Sequence, residues 1–262
     1  MKPKPLKMIL KQPLASNIMN PDLTPYENGF ILWQDWNTVA IATTGSTNVK
    51  TDDMIQIWIL DRNMHPVESI QSGKDASLQC AGCPFASGKG CYVAPMPLMA
   101  IWRKFSLNGY PVLPFRSLAW DAFWKEKRVR FGAYGNPSLI PLAIVANIAA
   151  HAEKHTGYFH NWHEMSVLEA QAYGAFFMAS CEPWNVAKAQ RLGLRTFTVY
   201  PAGSSAPETA GIECLADARG LTCSECGLCD GTKRSAKRSA PLPSVWITVH
   251  GYKTRKATEA LN

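Results

Sequence analysis

The sequence predicts an α/β fold: a partial (β/α) barrel-like parallel sheet with two cysteine-rich metal-binding loops. Three observations carry that expectation. From residue 128 onward, short β-branched or aromatic runs alternate with helical segments in units of roughly 20–30 residues, as parallel βα units require. Seven of the eight cysteines fall into two short-spaced groups. The segments that hold those groups are rich in Gly, Ser and Pro, so something other than an apolar core must organise them.

Each element follows from local pattern. Residues 1–29 are rich in Pro and Asn and predict an irregular N-terminal arm. Phe30–Thr43 and Met54–Leu60 read as strands, joined by the turn-rich segment 43–50 (TTGSTNVK). Residues 61–97 form a loop, and a helix covers Pro97–Phe105. Val129–Ala133 is a strand, Leu139–His155 a helix, Gly157–Trp162 a strand and Met165–Tyr173 a helix. Ala175–Ser180 is a strand, Pro183–Leu192 a helix closed by Gly193, and Leu194–Tyr200 a strand. Residues 201–231 return to loop, 232–243 is a basic Ser/Pro-rich linker, Val245–His250 is a last strand and 252–262 a basic tail. Residues 30–251 thus form one α/β domain.

The chain has 262 residues, is 47% hydrophobic and 18% charged, and therefore suits a globular domain rather than a disordered one. No run of 18 apolar residues predicts a membrane span. The lysine-bearing start, residues 1–13, lacks an apolar stretch of the secretory kind. With cysteines at ligand spacing rather than scattered, the expected setting is a reducing one, the cytoplasm.

Cys80-x2-Cys83-x7-Cys91 is the first group and Cys214-x8-Cys223-x2-Cys226-x2-Cys229 the second; Cys181 stands alone. The run C-x2-C-x2-C resembles the close cysteine steps of iron–sulfur loops. Three nearby thiolates in the first group can leave one iron open. Gly82, Gly88, Gly90, Gly227 and Gly231 allow the backbone to approach a bulky inorganic core. Iron–sulfur, in the four-iron form, is the leading expectation; zinc and disulfide or free thiols are the alternatives. Cys181 is either a further ligand or an inert buried thiol.

Candidate catalytic residues sit where strands end. Tyr134 and Asn136 follow the strand 129–133, with Arg130 within it; His160 ends the next strand; Arg195 lies on the strand 194–200 and needs a partner. Turn chemistry is the alternative for Asn136-Pro137, and a structural role for His160. His151 and His155, four apart, read as cations at a helix C-terminus. The segment 48–51 (NVKT) has no mechanism legible by itself.

The net charge of +7 is local. Lys233, Arg234, Lys237, Arg238, Lys253, Arg255 and Lys256 follow one another with no acid between them. Arg103, Lys104, Lys127 and Arg128 belong to a third basic stretch whose aromatic neighbours include Trp102, Tyr110, Trp120, Phe123 and Trp124. Cations interleaved with aromatics suit a phosphate backbone with stacked bases, so DNA or RNA is the expected partner; an aromatic core with a solvated tail is the alternative.

The ordered set NVKT (48–51), QIWIL (56–60), the cysteine triple ending in CYV (91–93), RFGAYGNP (130–137) and CSECGLCDG (223–231) resembles a group of poorly characterised phage- and plasmid-borne proteins. Their half-barrel is similar to that of radical S-adenosylmethionine enzymes. The resemblance implies one cluster on Cys80, Cys83 and Cys91 with an open iron, and a fully ligated one on Cys214, Cys223, Cys226 and Cys229. It also implies a bacterial host cell, with S-adenosylmethionine as a candidate cofactor. Two functions follow as expectations: an iron–sulfur protein acting on nucleic acid, in radical fashion or otherwise, and a DNA-binding replication or regulatory protein, or a nuclease, with purely structural clusters or zinc.

Overall fold

A computed structural model describes residues 21–46, 48–232, 242–251 and 253–261. Among them are ten strands and ten α-helices in two five-stranded sheets. The fold is α/β with parallel pairing throughout its second half. The first sheet has the order β1 (Phe30–Gln34), β2 (Thr38–Thr43), β3 (Ile55–Asp61), β4 (Arg128–Tyr134), β5 (Lys154–Thr156). β1, β2 and β3 pair antiparallel; β4 joins β3, and β5 joins β4, in parallel. The second sheet has the order β6 (Tyr158–Phe159), β7 (Met178–Cys181), β8 (Thr196–Tyr200), β10 (Val245–Thr248), β9 (Ile212–Glu213), all parallel.

The two sheets are joined by a single residue. β5 and β6 are separated only by Gly157, which donates to the Cys229 carbonyl at 3.0 Å and accepts from the Met178 amide at 3.0 Å. A Cβ there would stand 2.6 Å from the Phe177 ring, so only glycine fits. Segment 154–159 therefore pairs with β4 through its first half and with β7 through its second.

The two faces of these sheets differ, as the two-residue period of a strand allows. On the outer face Ile55, Ile57 and Ile59 of β3 and Val129 and Phe131 of β4 meet Trp120, Phe123, Ile144, Ile148 and Tyr173 in the main core. Those partners come from α4 (Leu118–Trp124), α5 (Leu142–His151) and α6 (Val167–Gly174), with α7 (Val186–Arg191) adding Ala189. The opposite register, Gln56, Trp58, Arg130, Thr156, Tyr158, Phe197 and Val199, is left to a cavity.

Several elements depart from the sequence reading. The strand expected over 30–43 folds back as the β1–β2 hairpin, because Asp35 Oδ1 accepts from the amides of Asn37 and Thr38 at 2.8 and 2.7 Å and closes a turn. The stretch 61–97 contains α1 (Pro66–Ser72), α2 (Lys74–Ser77) and the start of α3 (Pro95–Ser106). His65 Nδ1 caps α1, and Pro66 pre-sets its first turn. The helix expected over 139–155 stops at His151, and Lys154–Thr156 is strand, so the apparent i, i+4 pair His151/His155 is split between two elements. α4 was hidden by its aromatic composition. The segment read as a basic tail contains α10 (Thr254–Glu259), which packs Ala257 and Leu261 against Phe85.

Candidate functional site

The inner face of the sheets encloses a cavity of about 900 Å³. Register builds it: Arg130 pairs with Gln56 on one side and Thr156 on the other, so three adjacent strands present one row of side chains. Trp58, Tyr158 and Phe197 supply aromatic walls, and α10 with the preceding Lys253 closes one side. Arg130, Tyr92, Tyr158, Phe197 and Val199 are shared with a smaller adjoining space of about 80 Å³, whose other walls include Cys80, Cys83, Cys91, Tyr134 and His160. Tyr92 is 59% exposed, yet its open face looks into this enclosure, where burial pushes its hydroxyl pKa up.

The first cysteine group is tied by its own neighbourhood. The Cys80 amide donates to Asp75 O at 2.7 Å, Cys83 to Cys80 O at 3.1 Å and Cys91 to Phe85 O at 3.0 Å. Buried Asp75 accepts from the Ser87 amide and hydroxyl at 2.8 and 2.9 Å, pinning the loop's far side. Ala81 and Ser87 take φ of +36° and +56°, so the loop is tighter than ordinary residues prefer. Gly90 has no room for a Cβ, which would meet Ala257 of α10 at 2.6 Å; Lys253 meanwhile donates to the Cys91 carbonyl.

All three thiols are free and near enough to influence one another. Burial raises each: Cys80 strongly, Cys83 to about 12, and Cys91 as well, with the neighbouring thiols adding to the effect at Cys80 and Cys83. As bare groups they are protonated and poor nucleophiles; a bound metal inverts that balance by coordinating the thiolate. On this wall the Tyr134 hydroxyl hydrogen-bonds the Cys80 sulfur, and buried His160 Nδ1 has no hydrogen-bond partner among the described residues. Burial holds the His160 imidazole down to about 4, so it is neutral.

The second group is tied from a distance. α8 (Leu215–Arg219) and α9 (Cys223–Cys226) carry it, the latter opened by a capping box between Thr222 and Glu225. The Cys223 amide donates to Lys50 O at 2.6 Å, and Ser224 Oγ donates to Asp53 at 2.6 Å while accepting from Arg128 at 2.9 Å. Lys154 Nζ donates to the carbonyls of Ser224 and Glu225 at 3.2 and 2.8 Å. Cys214, Cys223 and Cys226 all influence Cys229, whose thiol burial raises to about 12; Tyr158 hydrogen-bonds the same sulfur. Cys214 and Cys223, also raised by burial, open onto the large cavity.

The structure thus brings Cys80, Cys83 and Cys91 together, and separately Cys214, Cys223, Cys226 and Cys229. Either set offers the soft donors that iron or zinc takes. Among the described residues no three His, Cys, Asp or Glu side chains come close enough together to hold one metal ion. Cys181 joins neither set: it is buried on β7, and the charged group that raises its pKa after burial itself is Glu182.

Of the four candidate catalytic residues, two reach the enclosure and two do not. Tyr134 and His160 line the small space. Asn136 is fully buried and spends its side chain on turn chemistry, accepting from Ser138 Oγ at 3.1 Å and donating to Asn161 at 2.7 Å. Arg195 is a clamp. It donates to Asp230 at 3.1 Å and to the carbonyls of Gly231, Leu228 and Pro243 at 2.6, 2.7 and 2.7 Å, holding the second cysteine loop to the segment before β10.

The basic residues divide similarly. Arg103 and Lys127 are exposed. Lys104 lies 4.3 Å over the Tyr110 ring and donates to Asn28 O, and Arg128 pairs with Glu153 at 3.1 Å. Their aromatic neighbours Trp120, Phe123 and Trp124 are buried in the core and offer no face to a base. Lys233, Arg234, Lys237 and Arg238 lie outside the described residues. No helix of the described residues is long and apolar enough to cross a membrane.

Sequence reasoning missed Lys50, Trp58, Asp75, Phe197, Asp217 and His250. Lys50 Nζ donates to Asp217 at 2.6 Å and to His250 Nε2 at 2.9 Å; His250 must carry its proton on Nδ1, which faces the Thr248 carbonyl at 2.9 Å. The sequence signal was present only as the segment NVKT, whose role is to fasten the second cysteine loop. No family model matches the chain, and no curated protein or solved structure does so either.

Proposed function

We propose that the protein is an iron–sulfur enzyme built on a partial (β/α) barrel-like sheet, acting on nucleic acid or a nucleotide, with Cys80, Cys83 and Cys91 holding one cluster and Cys214, Cys223, Cys226 and Cys229 a second. The observation that carries this reading is that Cys80, Cys83 and Cys91 line a small space adjoining the large cavity onto which Cys214 and Cys223 open, with Arg130, Tyr92, Tyr158, Phe197 and Val199 as shared walls. A purely structural centre is closed by its own ligands and has no need of a cavity. Three thiols leave one metal position free, and His160 Nδ1 stands beside that group without a hydrogen-bond partner among the described residues. The run Cys223-x2-Cys226-x2-Cys229 also favours iron, since it resembles the close cysteine steps of iron–sulfur loops more than the paired knuckles of zinc sites.

When bound, such a centre supplies one-electron chemistry and a Lewis-acidic iron. The chain's own residues do the rest. Trp58, Tyr158 and Phe197 give the inner face apolar walls, and neutral His160 and Tyr134 line the space beside the first centre. The test is anaerobic purification with iron, sulfide and zinc analysis, followed by reduction with S-adenosylmethionine present. Iron and sulfide with absorbance near 400 nm are expected, and cofactor cleavage assigns radical chemistry. A colourless protein with stoichiometric zinc refutes the reading. That result favours the second one, structural zinc in a nucleic-acid-binding protein, for which exposed Arg103 and Lys127 speak.

A further inference from the structure

We propose that the large cavity binds a single aromatic small molecule bearing an oxyanion, of the nucleoside monophosphate class, and that Arg130 takes the oxyanion. This deepens the nucleotide half of the preceding reading, but it stands on the cavity rather than on the metal.

The charge of the lining is one-sided. Lys50, Arg130 and Lys253 contribute three cations, and no Asp or Glu lines the cavity. Lys50 is committed to Asp217 and His250, and Lys253 to the Cys91 carbonyl. Arg130 is different. Half-buried at the middle of β4, it has no hydrogen bond or ion pair from its guanidinium among the described residues; its charge is felt by Tyr92, Tyr158 and Cys223 around it. A partly desolvated guanidinium without an acid is costly unless something anionic meets it. Its planar fork matches phosphate or carboxylate two bonds at a time. Arg128, two residues earlier on the same strand, is by contrast paired with Glu153 and Asp53.

The remaining walls choose the rest of the ligand. Trp58 is held by its indole N–H to Thr43 at 2.9 Å, and Tyr92, Tyr158 and Phe197 add ring faces, so a flat aromatic body has surfaces to lie on. A volume of about 900 Å³ is that of a small-molecule site. A partly open space of this volume suits one nucleotide, whereas a polymer would need a run of free cations with exposed rings, and the buried aromatics of the 103–130 stretch do not provide one.

Binding is to be measured by quenching of tryptophan fluorescence and by calorimetry on the full chain as purified anaerobically. The probes are the four common 5′-nucleoside monophosphates, the matching nucleosides, inorganic phosphate and a single-stranded oligonucleotide. At least one monophosphate should bind roughly 10- to 100-fold more tightly than its nucleoside, the range a charge-assisted contact supplies. Arg130→Gln should erase that difference, and Arg130→Lys should restore part of it. Equal binding of nucleoside and monophosphate by the wild-type chain overturns the proposal without any variant. So does absence of binding by all four monophosphates, or tight binding by the oligonucleotide alone. If Arg130→Gln alters the visible spectrum but leaves nucleotide discrimination intact, Arg130 serves the Cys223 side instead and the assignment fails. Iron content of the same sample reports separately on the cluster reading.

Discussion

The two cysteine loops solve one problem in opposite ways. Loop 80–91 takes most of its hydrogen bonds from residues close to it in the chain, Asp75, Phe85 and Ser87, while Tyr134, Asn136 and α10 reach it from elsewhere. Loop 214–229 is held by Lys50, Asp53, Arg128, Lys154 and Arg195, each far off in sequence. A locally tied loop closes at small entropic cost and can form early; a remotely tied one forms only when the strands that carry its clamps are in place. The first loop is therefore expected to order ahead of the second, whose clamps all wait on distant strands.

Four substitutions or conditions break this contrast, each on one side of it. The largest effect is expected at Arg195→Ala, which removes the clamp on Leu228, Gly231 and Pro243 and the ion pair with Asp230. A loss of about 3–5 kcal/mol is expected by chemical denaturation, with faster amide exchange over 226–231 than over 80–91. Asp75→Ala should cost about 3 kcal/mol, since charge-assisted bonds to Ser87 are lost. Its signature is selective: Cys80, Cys83 and Cys91 become more reactive toward an alkylating agent, while the second group does not.

Acid should act on the first loop's side of the enclosure. His160 has its pKa held at about 4 by burial, against about 6.5 for the unfolded chain. The unfolded state therefore binds the extra proton between those values. Stability is complete above about pH 6.5 and falls as pH drops toward 4, by about 2 kcal/mol at pH 5. His160→Phe should flatten that part of the profile in denaturation measured across pH. The smallest effect is expected at Lys50→Met. Its pair with Asp217 is half exposed on the lysine side, so no more than about 1 kcal/mol is at stake, read as increased thiol accessibility at Cys214 and Cys223 alone.

Local pattern made much of this legible. The βα alternation after residue 128 survives in the structure, because hydrophobic period is a property of short segments. The hairpin at Asp35–Asn37 and helix α4 were lost in apolar stretches where strand and helix look alike. Arg195 was correctly expected to need a partner, but nothing local says that the partner is the loop ending at Asp230. NVKT was visible as a segment without a purpose, and the aromatic–basic stretch read as an interface because sequence does not tell a buried Trp from an exposed one.

By itself, then, the sequence determined which residues carry thiols and cations, and that strands and helices alternate around them. These follow from composition and spacing along a few residues. Only the tertiary structure decided that Gly157 passes one strand from sheet to sheet, that Cys80, Cys83 and Cys91 line a space adjoining the cavity onto which Cys214 and Cys223 open, and that Arg130 faces that cavity without a hydrogen bond or ion pair among the described residues while Arg195 clamps a loop. Such facts depend on strand register and on contacts across more than a hundred residues, where a shift of one position turns every side chain to the other face.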